Sequence, residues 1–475
     1  MCRKKCRVLL LCTAAASQYD DNDMGLSSGE YGVKSQIKKR FPSSFAEFES
    51  LQSAREAAGY SVDQTVVLLD GNVLSNQVPN AVNDVDGYVR ILSGFVNQAF
   101  CAGDIVVVVF DEAAHMTLAK KAEQDRRDAS RRKNVIQTSS DLESFLGPKD
   151  DNFGLGDVEN CDPHSVLKHR GTRGRLYDFL WLRVKRAVET PGKTIVLDGI
   201  DASGIDRPFG TKRDASIVSS DARLEAVLAH PRPIGEGDLK LTDIACVVQE
   251  QRDAGFEPLK KIELIVISTI DTDSLAIELI NEAAKAEERR LNGCSDMRLL
   301  LAFKEFSGKR GTDDFKTSFS CFDMRLLLDN VLEFMFGDKK TSSVHLHRNA
   351  IALLTIAWTL CGSDFVDVKG MRSDVATDVV AALCKTDVAL LPPLNALWDC
   401  KRDDIQRIQT LRRDVNYAVD RLVTETARVL GSMPRMARSC ASLKNEYSNT
   451  DASKACWVSL YWHGLELGDV GSWGF

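Results

Sequence analysis

Four apolar runs in this chain stop on carboxylates. "TVVLLDGN" ends on Asp70, "IVVVVFDEAA" on Asp111 and Glu112, "KTIVLDG" on Asp198, and "ELIVISTIDTD" on Asp271 and Asp273. A single aspartate after a strand is usually a turn opener or a helix cap. Repetition points further. Carboxylates brought to one place repel each other and raise one another's pKa unless cations neutralise them. Hard divalent ions with oxygen ligands, Mg²⁺ or Mn²⁺, are their natural partners. Such a site most often does phosphoryl chemistry, with two metals clamping the attacking and leaving oxygens. Two more acidic motifs suit it: Glu236 and Asp238 in "PIGEGDLKLTDIA", at the entry of an expected helix, and Asp364 just beyond the apolar helix of "LTIAWTLCGSDFV".

The elements that must position these groups follow from periodicity. Valine-rich runs without alternation read as strands buried on both faces, the pattern of a parallel sheet. Between them, "VDGYVRILSGFVNQAF" and "GRLYDFLWLRVKRAVE" are long enough to return as helices. Strand, helix, strand in that rhythm predicts an α/β fold with a parallel central sheet flanked by helices. Ligands then bind beyond the carboxyl ends of the strands, so the acidic ends share one edge. The 475 residues divide into a leader (1–30), expected to be disordered or processed, and a core over 31–375. Polar insertions interrupt that core near 138–165 and 199–230, a helical region covers 376–450, and an aromatic segment at 451–475 is expected to pack on the core.

Charge and cysteine usage narrow the partners. The net charge of −7 excludes diffuse attraction of a polyanion by the whole surface, so nucleic acid needs a local basic patch. Residues 115–135 supply one, with seven Lys/Arg against three Asp/Glu. Lys120, Gln124, Arg127 and Arg131 recur at i, i+4, i+7 and i+11, one stripe of a helix, and such a stripe suits a terminal phosphate. A solvated helix face, with Glu123, Asp125 and Asp128 interleaved, is the other reading. Thirteen cysteines without a C-x-x-C pair argue for reduced thiols inside a cell, cytoplasmic or nuclear, with organelle targeting by the leader left open. The apolar run near the start is too short to span a bilayer, so no membrane partner is expected.

Taken in order, these motifs resemble the 5′→3′ exoribonucleases of the Xrn/Rat type and, more remotely, the flap endonucleases related to them through a PIN-like nuclease core. "YGVKSQIKKRFPSSF" is similar to the family's start, and "VVLLDGNVLSNQVPN" to its first acidic strand, with Asp70 and Asn72 in its Asp-x-Asn pattern. "VVVVFDEAA", "GEGDLKL", "TIDTDSLAI" and "CGSDFV" resemble its later acidic motifs. "DMRLLLAFKEF" and "FDMRLLLDNVLEFMF" look like a pair of amphipathic helices before the last of these.

The resemblance implies a two-metal site on Asp70, Asp111, Glu236, Asp238, Asp271, Asp273 and Asp364. Asp70, Asp111 and Glu236 would serve one Mg²⁺ (or Mn²⁺), Asp271, Asp273 and Asp364 the other, with Asp238 between them. It also implies a 5′-phosphate pocket at Lys120, Gln124 and Arg127, where the family's second arginine is replaced by Asp128. Substrate contacts are expected at Asn72, Arg131 and Trp457. The family's base-stacking histidine is matched by Asn76. Glu112 and Asp198 have no counterpart and read as a turn residue and a structural group. The implied activity is metal-dependent 5′→3′ removal of nucleotides from single-stranded RNA. A flap-type DNA nuclease, suggested by "VDVKGMRSDVATDVV", and a nuclease fold kept as an RNA-binding scaffold are the rivals.

Overall fold

The computed structural model describes residues 32–112, 163–164, 170–203, 214–229, 235–292, 297–307, 316–337, 344–361, 372–386, 394, 396–399, 405–431, 455–456 and 458–460. In chain order these form α1 (Val33–Arg40), β1 (Phe45–Phe48), α2 (Leu51–Ala57), β2 (Thr65–Asp70), α3 (Gly71–Asn76), α4 (Val85–Ala99) and β3 (Ile105–Val109). There follow α5 (Arg170–Val188), β4 (Thr194–Ile200), β5 (Ser216–Ser219), α6 (Ala222–Leu228), α7 (Gly237–Asp253), β6 (Leu264–Thr269) and α8 (Asp273–Asn292). The chain continues with β7 (Arg298–Ser307), β8 (Lys316–Asp323), α9 (Met324–Phe336), α10 (Val344–Leu360), α11 (Ser373–Thr386), α12 (Ala396–Asp399) and α13 (Ile405–Gly431).

The strands make one eight-stranded sheet in the order β1-β8-β7-β6-β2-β3-β4-β5. Its five central strands, β7-β6-β2-β3-β4, run parallel. The outer strands do not: β5 is antiparallel to β4, and β8 is antiparallel to both β7 and β1. The sheet is therefore mixed at its edges rather than parallel throughout. The segment expected as a second insertion, near 199–230, supplies the edge strand β5 and helix α6.

Both faces of the sheet are covered, which explains the unbroken apolar runs. Val66, Leu68, Val107 and Ile267 face one cluster, shared with α7, α8, α9, α10 and α11. Val67, Leu69, Val106, Val108 and Val266 face the other, shared with α2, α4 and α5. Neither side of the strands meets water, so no polar alternation is needed. Helix α10 goes further: Ala350, Ile351, Leu354, Ala357 and Trp358 are all buried, because it packs on α8, α11 and α13 at once.

One expected helix is a strand. Residues 298–306 of "DMRLLLAFKEF" lie in β7, whereas the second "DMRLLL" opens α9. At the second copy Asp323 accepts from Leu326 N at 3.1 Å and caps the helix. Met324, Leu327, Leu328, Val331 and Met335 then fall on one buried stripe. In the first copy Leu299, Leu300, Leu301, Ala302 and Phe303 are buried consecutively, as in a strand covered on both faces. The two motifs meet where β7 pairs with β8, and there Arg298 Nε donates to Asp323 Oδ2 at 2.6 Å.

Candidate active site

Asp70 ends β2, and Asp111 lies two residues past the end of β3, its parallel neighbour on one side. Asp271 lies two residues past the end of β6, the parallel neighbour on the other side, and Asp273 begins α8. Glu236 is the N-cap of α7, and Asp238 lies in its first turn. Three adjacent strands and two helix starts therefore deliver six of the seven expected carboxylates to one edge. The seventh, Asp364, lies outside the described residues. So do Lys120, Gln124, Arg127 and Arg131 of the basic stripe, and Trp457.

Four of these carboxylates are held by hydrogen bonds, two from their own turns and two from neighbouring elements. Asp70 caps α3 by accepting from the amides of Asn72 at 2.9 Å and Val73 at 3.2 Å. Asn72 contributes to the site's frame through this backbone bond. Asp111 Oδ1 accepts from Gly237 N at 2.8 Å, which ties β3 to the start of α7. Asp271 Oδ1 accepts from Asp273 N at 3.0 Å, and Ser274 Oγ donates to Asp238 Oδ1 at 2.7 Å. Two glycines make the approach possible. A Cβ on Gly71 would stand 2.2 Å from the Phe110 ring, and one on Gly237 would stand 3.1 Å from Asp111 Oδ1. Phe110, which precedes Asp111, is in turn held edge-on against Trp181 of α5 at 5.1 Å.

Electrostatics couples the strand ends. The Asp70 carboxyl is pushed up to about 7, first by burial and then by the charge of Asp111, with Asp271 adding to it. Among the described residues, no three His, Cys, Asp or Glu side chains converge closely enough to hold an ion. The donor set is nonetheless all hard carboxylate oxygen, and the mutual repulsion at Asp70 is of the kind that a divalent cation relieves. In donor chemistry these residues fit Mg²⁺ or Mn²⁺.

Behind the edge lies an ion cluster that the motif reading missed. Lys240 of α7 is buried, with Nζ 3.2 Å from Glu112 Oε2 and 3.4 Å from Asp198 Oδ1. Glu112 is therefore a buried ion-pair partner, not a turn residue, and its amide donates to Gly235 O at 2.8 Å. Strand β4 does not stop at Asp198 but runs on to Ile200, with Asp198 buried in it. The signal was available in the sequence. Lys240 falls on the apolar stripe of α7, with Gly237, Leu241, Ile244, Ala245 and Val248, and a lysine at such a position needs buried acids.

A second set of polar groups joins α7 to α8 below Asp238. Thr242 Oγ1 donates to Glu278 Oε1 at 2.5 Å, and Cys246 Sγ donates to Asn281 Oδ1 at 3.3 Å. With Asp238 and Ser274 this makes three rungs at helical spacing. The rungs hold the helix carrying Glu236 and Asp238 against the helix that begins with Asp273.

No protein-family model matches the chain, and no curated protein matches it either. The metal-dependent part of the functional reading therefore rests on the geometry and chemistry of the residues alone. No helix among the described residues is long and apolar enough to cross a membrane.

Proposed function

We propose that this protein is a Mg²⁺-dependent nuclease that removes nucleotides from the 5′ end of single-stranded RNA. The observation that carries the metal-dependent part is the coupling of Asp70 to Asp111 and Asp271, three carboxylates from three adjacent strand ends. The RNA substrate and the 5′→3′ direction rest on the resemblance of the ordered motifs to the Xrn/Rat-type enzymes.

In this reading Asp70, Asp111 and Glu236 would hold one ion and Asp271, Asp273 and Asp364 a second, with Asp238 available to either. When bound, the ions supply an activated water and neutralise charge on the leaving 3′ oxygen. The protein's part is positioning. Backbone amides fix Asp70, Asp111 and Asp271, and Ser274 fixes Asp238, so the ligands need little reordering when the substrate arrives. Lys120, Gln124 and Arg127 would grip the terminal phosphate and set the direction of attack.

The test is a 3′-labelled RNA offered with a 5′-phosphate or a 5′-hydroxyl, beside a flap DNA, each with Mg²⁺. Progressive shortening of the phosphorylated RNA is expected, with Asp271→Asn and Glu236→Gln both inactive yet folded. Cleavage at the wild-type rate by both variants would remove the metal assignment. Cutting of circular RNA, or preference for the flap, would favour the DNA-nuclease rival.

A further inference from the structure

Beyond Val109 the chain leaves the parallel ladder, so Asp111 lacks the pairing that fixes the residues before it. Phe110 N still donates to Asp198 O of β4 at 3.1 Å. From there two bonds lead to the start of α7. Gly237 N donates to Asp111 Oδ1 at 2.8 Å, and Glu112 N donates to Gly235 O at 2.8 Å. Lys240 closes this strap. Its amide donates to Glu236 O at 3.0 Å, in the first turn of the helix. Its ammonium, one turn inward, lies 3.2 Å from Glu112 Oε2 and 3.4 Å from Asp198 Oδ1. One residue thus joins the neighbour of Asp111, the backbone of Glu236 and strand β4.

The surrounding backbone makes room for this ammonium. Gly199, next to Asp198, has a φ of +87°, and a Cβ there would stand 3.2 Å from Lys240 Nζ and 3.1 Å from Phe110 O. The pairing of β4 with β5 shifts register at the same place, between Asp198 and Ile200. Stability by itself does not call for the arrangement. Lys240 is 1% exposed, and ion clusters at such depth are often matched or bettered by apolar groups of similar volume. A methionine would fill the same place on the apolar stripe of α7, but it would not join Glu112 to Asp198. What the lysine adds is a fixed position for the two residues that flank the strap, Asp111 and Glu236.

We propose that Lys240 is a positioning residue for the first of the two ions, holding Asp111 and Glu236 ready as a pair of ligands before any ion arrives. The proposal rests on the metal-dependent reading of the carboxylates and names a group that sets the ion's affinity without touching it. Groups that orient metal ligands from behind commonly carry a factor of about 10–100 in affinity.

The test is calorimetric titration of Mn²⁺ into the metal-free full chain, with circular dichroism reporting the fold of each variant. Lys240→Met is expected to weaken Mn²⁺ binding by about tenfold or more. The sign decides the matter, because removing a cation near a cation site would by charge alone tighten binding. Lys240→Met combined with Glu112→Gln removes one charge of each sign, so charge alone predicts no change, and the same loss is expected. This double variant also serves where the single one does not fold, since it buries one carboxylate fewer. The loss should persist in an Asp271→Asn background, where a ligand of the second ion is gone. Unchanged or tighter binding by either variant once folded, or a loss that disappears in that background, would overturn the positioning role. If in that case the wild type binds Mn²⁺ and Asp111→Asn does not, the metal reading survives alone. A wild type that takes up no Mn²⁺ at millimolar concentration overturns both.

Discussion

Asp70 would meet opposite demands from folding and from the proposed chemistry. Its side chain caps α3, which favours folding, yet its charge is desolvated and faces the charges of Asp111 and Asp271. The folded carboxyl titrates near 7 rather than 3.8. Between those values the folded chain keeps a proton that the unfolded chain has lost, so stability falls as pH rises through that window. The deficit is complete above pH 7 and amounts to at most about 4 kcal/mol at 1.36 kcal/mol per pKa unit. Asn caps a helix as well as Asp does. Asp70→Asn should therefore raise the unfolding free energy at pH 8 in EDTA by about 1–4 kcal/mol and change it little at pH 4. Mg²⁺ should raise the melting temperature of the wild type more than that of the variant, since the ion takes the role the proton had. Denaturant melts at the two pH values decide the point: an Asn variant no more stable at pH 8 than the wild type would remove the repulsion on which the site is built.

At the scale of elements, helix α7 carries the site, and Lys240 anchors it. The buried ammonium joins Glu112, beside Asp111, to Asp198 of β4, so the start of α7 cannot shift without opening an ion cluster. Removing one member of such a cluster leaves uncompensated buried charge, which typically costs about 3–5 kcal/mol. Lys240→Met should lose that much at pH 7, and adding Glu112→Gln and Asp198→Asn should recover most of it. If the triple variant is no better than Lys240→Met, the cluster is not what holds the helix. The acidic strands β2, β3 and β6 were legible in the sequence because a strand covered on both faces writes itself as an unbroken apolar run. The pairing of Lys240 was not, because it joins positions 128 and 42 residues away in the chain. The two "DMRLLL" copies mark the same limit. The shared Arg-Leu-Leu-Leu lies in a strand in one copy and in a helix in the other, according to whether the following residues continue a two-sided apolar run or a helical stripe. Six of the expected carboxylates were likewise readable as strand ends and helix starts, but their common edge depends on a strand order that no local pattern encodes.

For the whole molecule the decisive contrast is between a net charge of −7 and the basic stretch at 115–135. An acidic protein gains little from diffuse attraction to RNA, so the proposed binding would have to come from a few cations in fixed places. In the proposed reading Lys120, Gln124 and Arg127, spaced in the sequence at i, i+4 and i+7, would hold a terminal phosphate, whereas a solvated face would merely add to the background field. The two differ in what Arg127→Ala does. A phosphate pocket loses one charge-assisted hydrogen bond, about 1.5–3 kcal/mol, on 5′-phosphorylated RNA, and hydroxyl-ended RNA is scarcely affected. A solvated face gives a small loss, equal for both ends and fading as salt rises. Asp128→Arg supplies the opposite perturbation: it removes a carboxylate next to Arg127 and should sharpen the preference for the phosphorylated end. Rates on both RNAs across a salt series separate the cases. Equal effects on the two ends from both substitutions would discard the pocket while leaving the carboxylate edge intact, because the proposed metal ligands and the proposed phosphate contacts come from different parts of the chain.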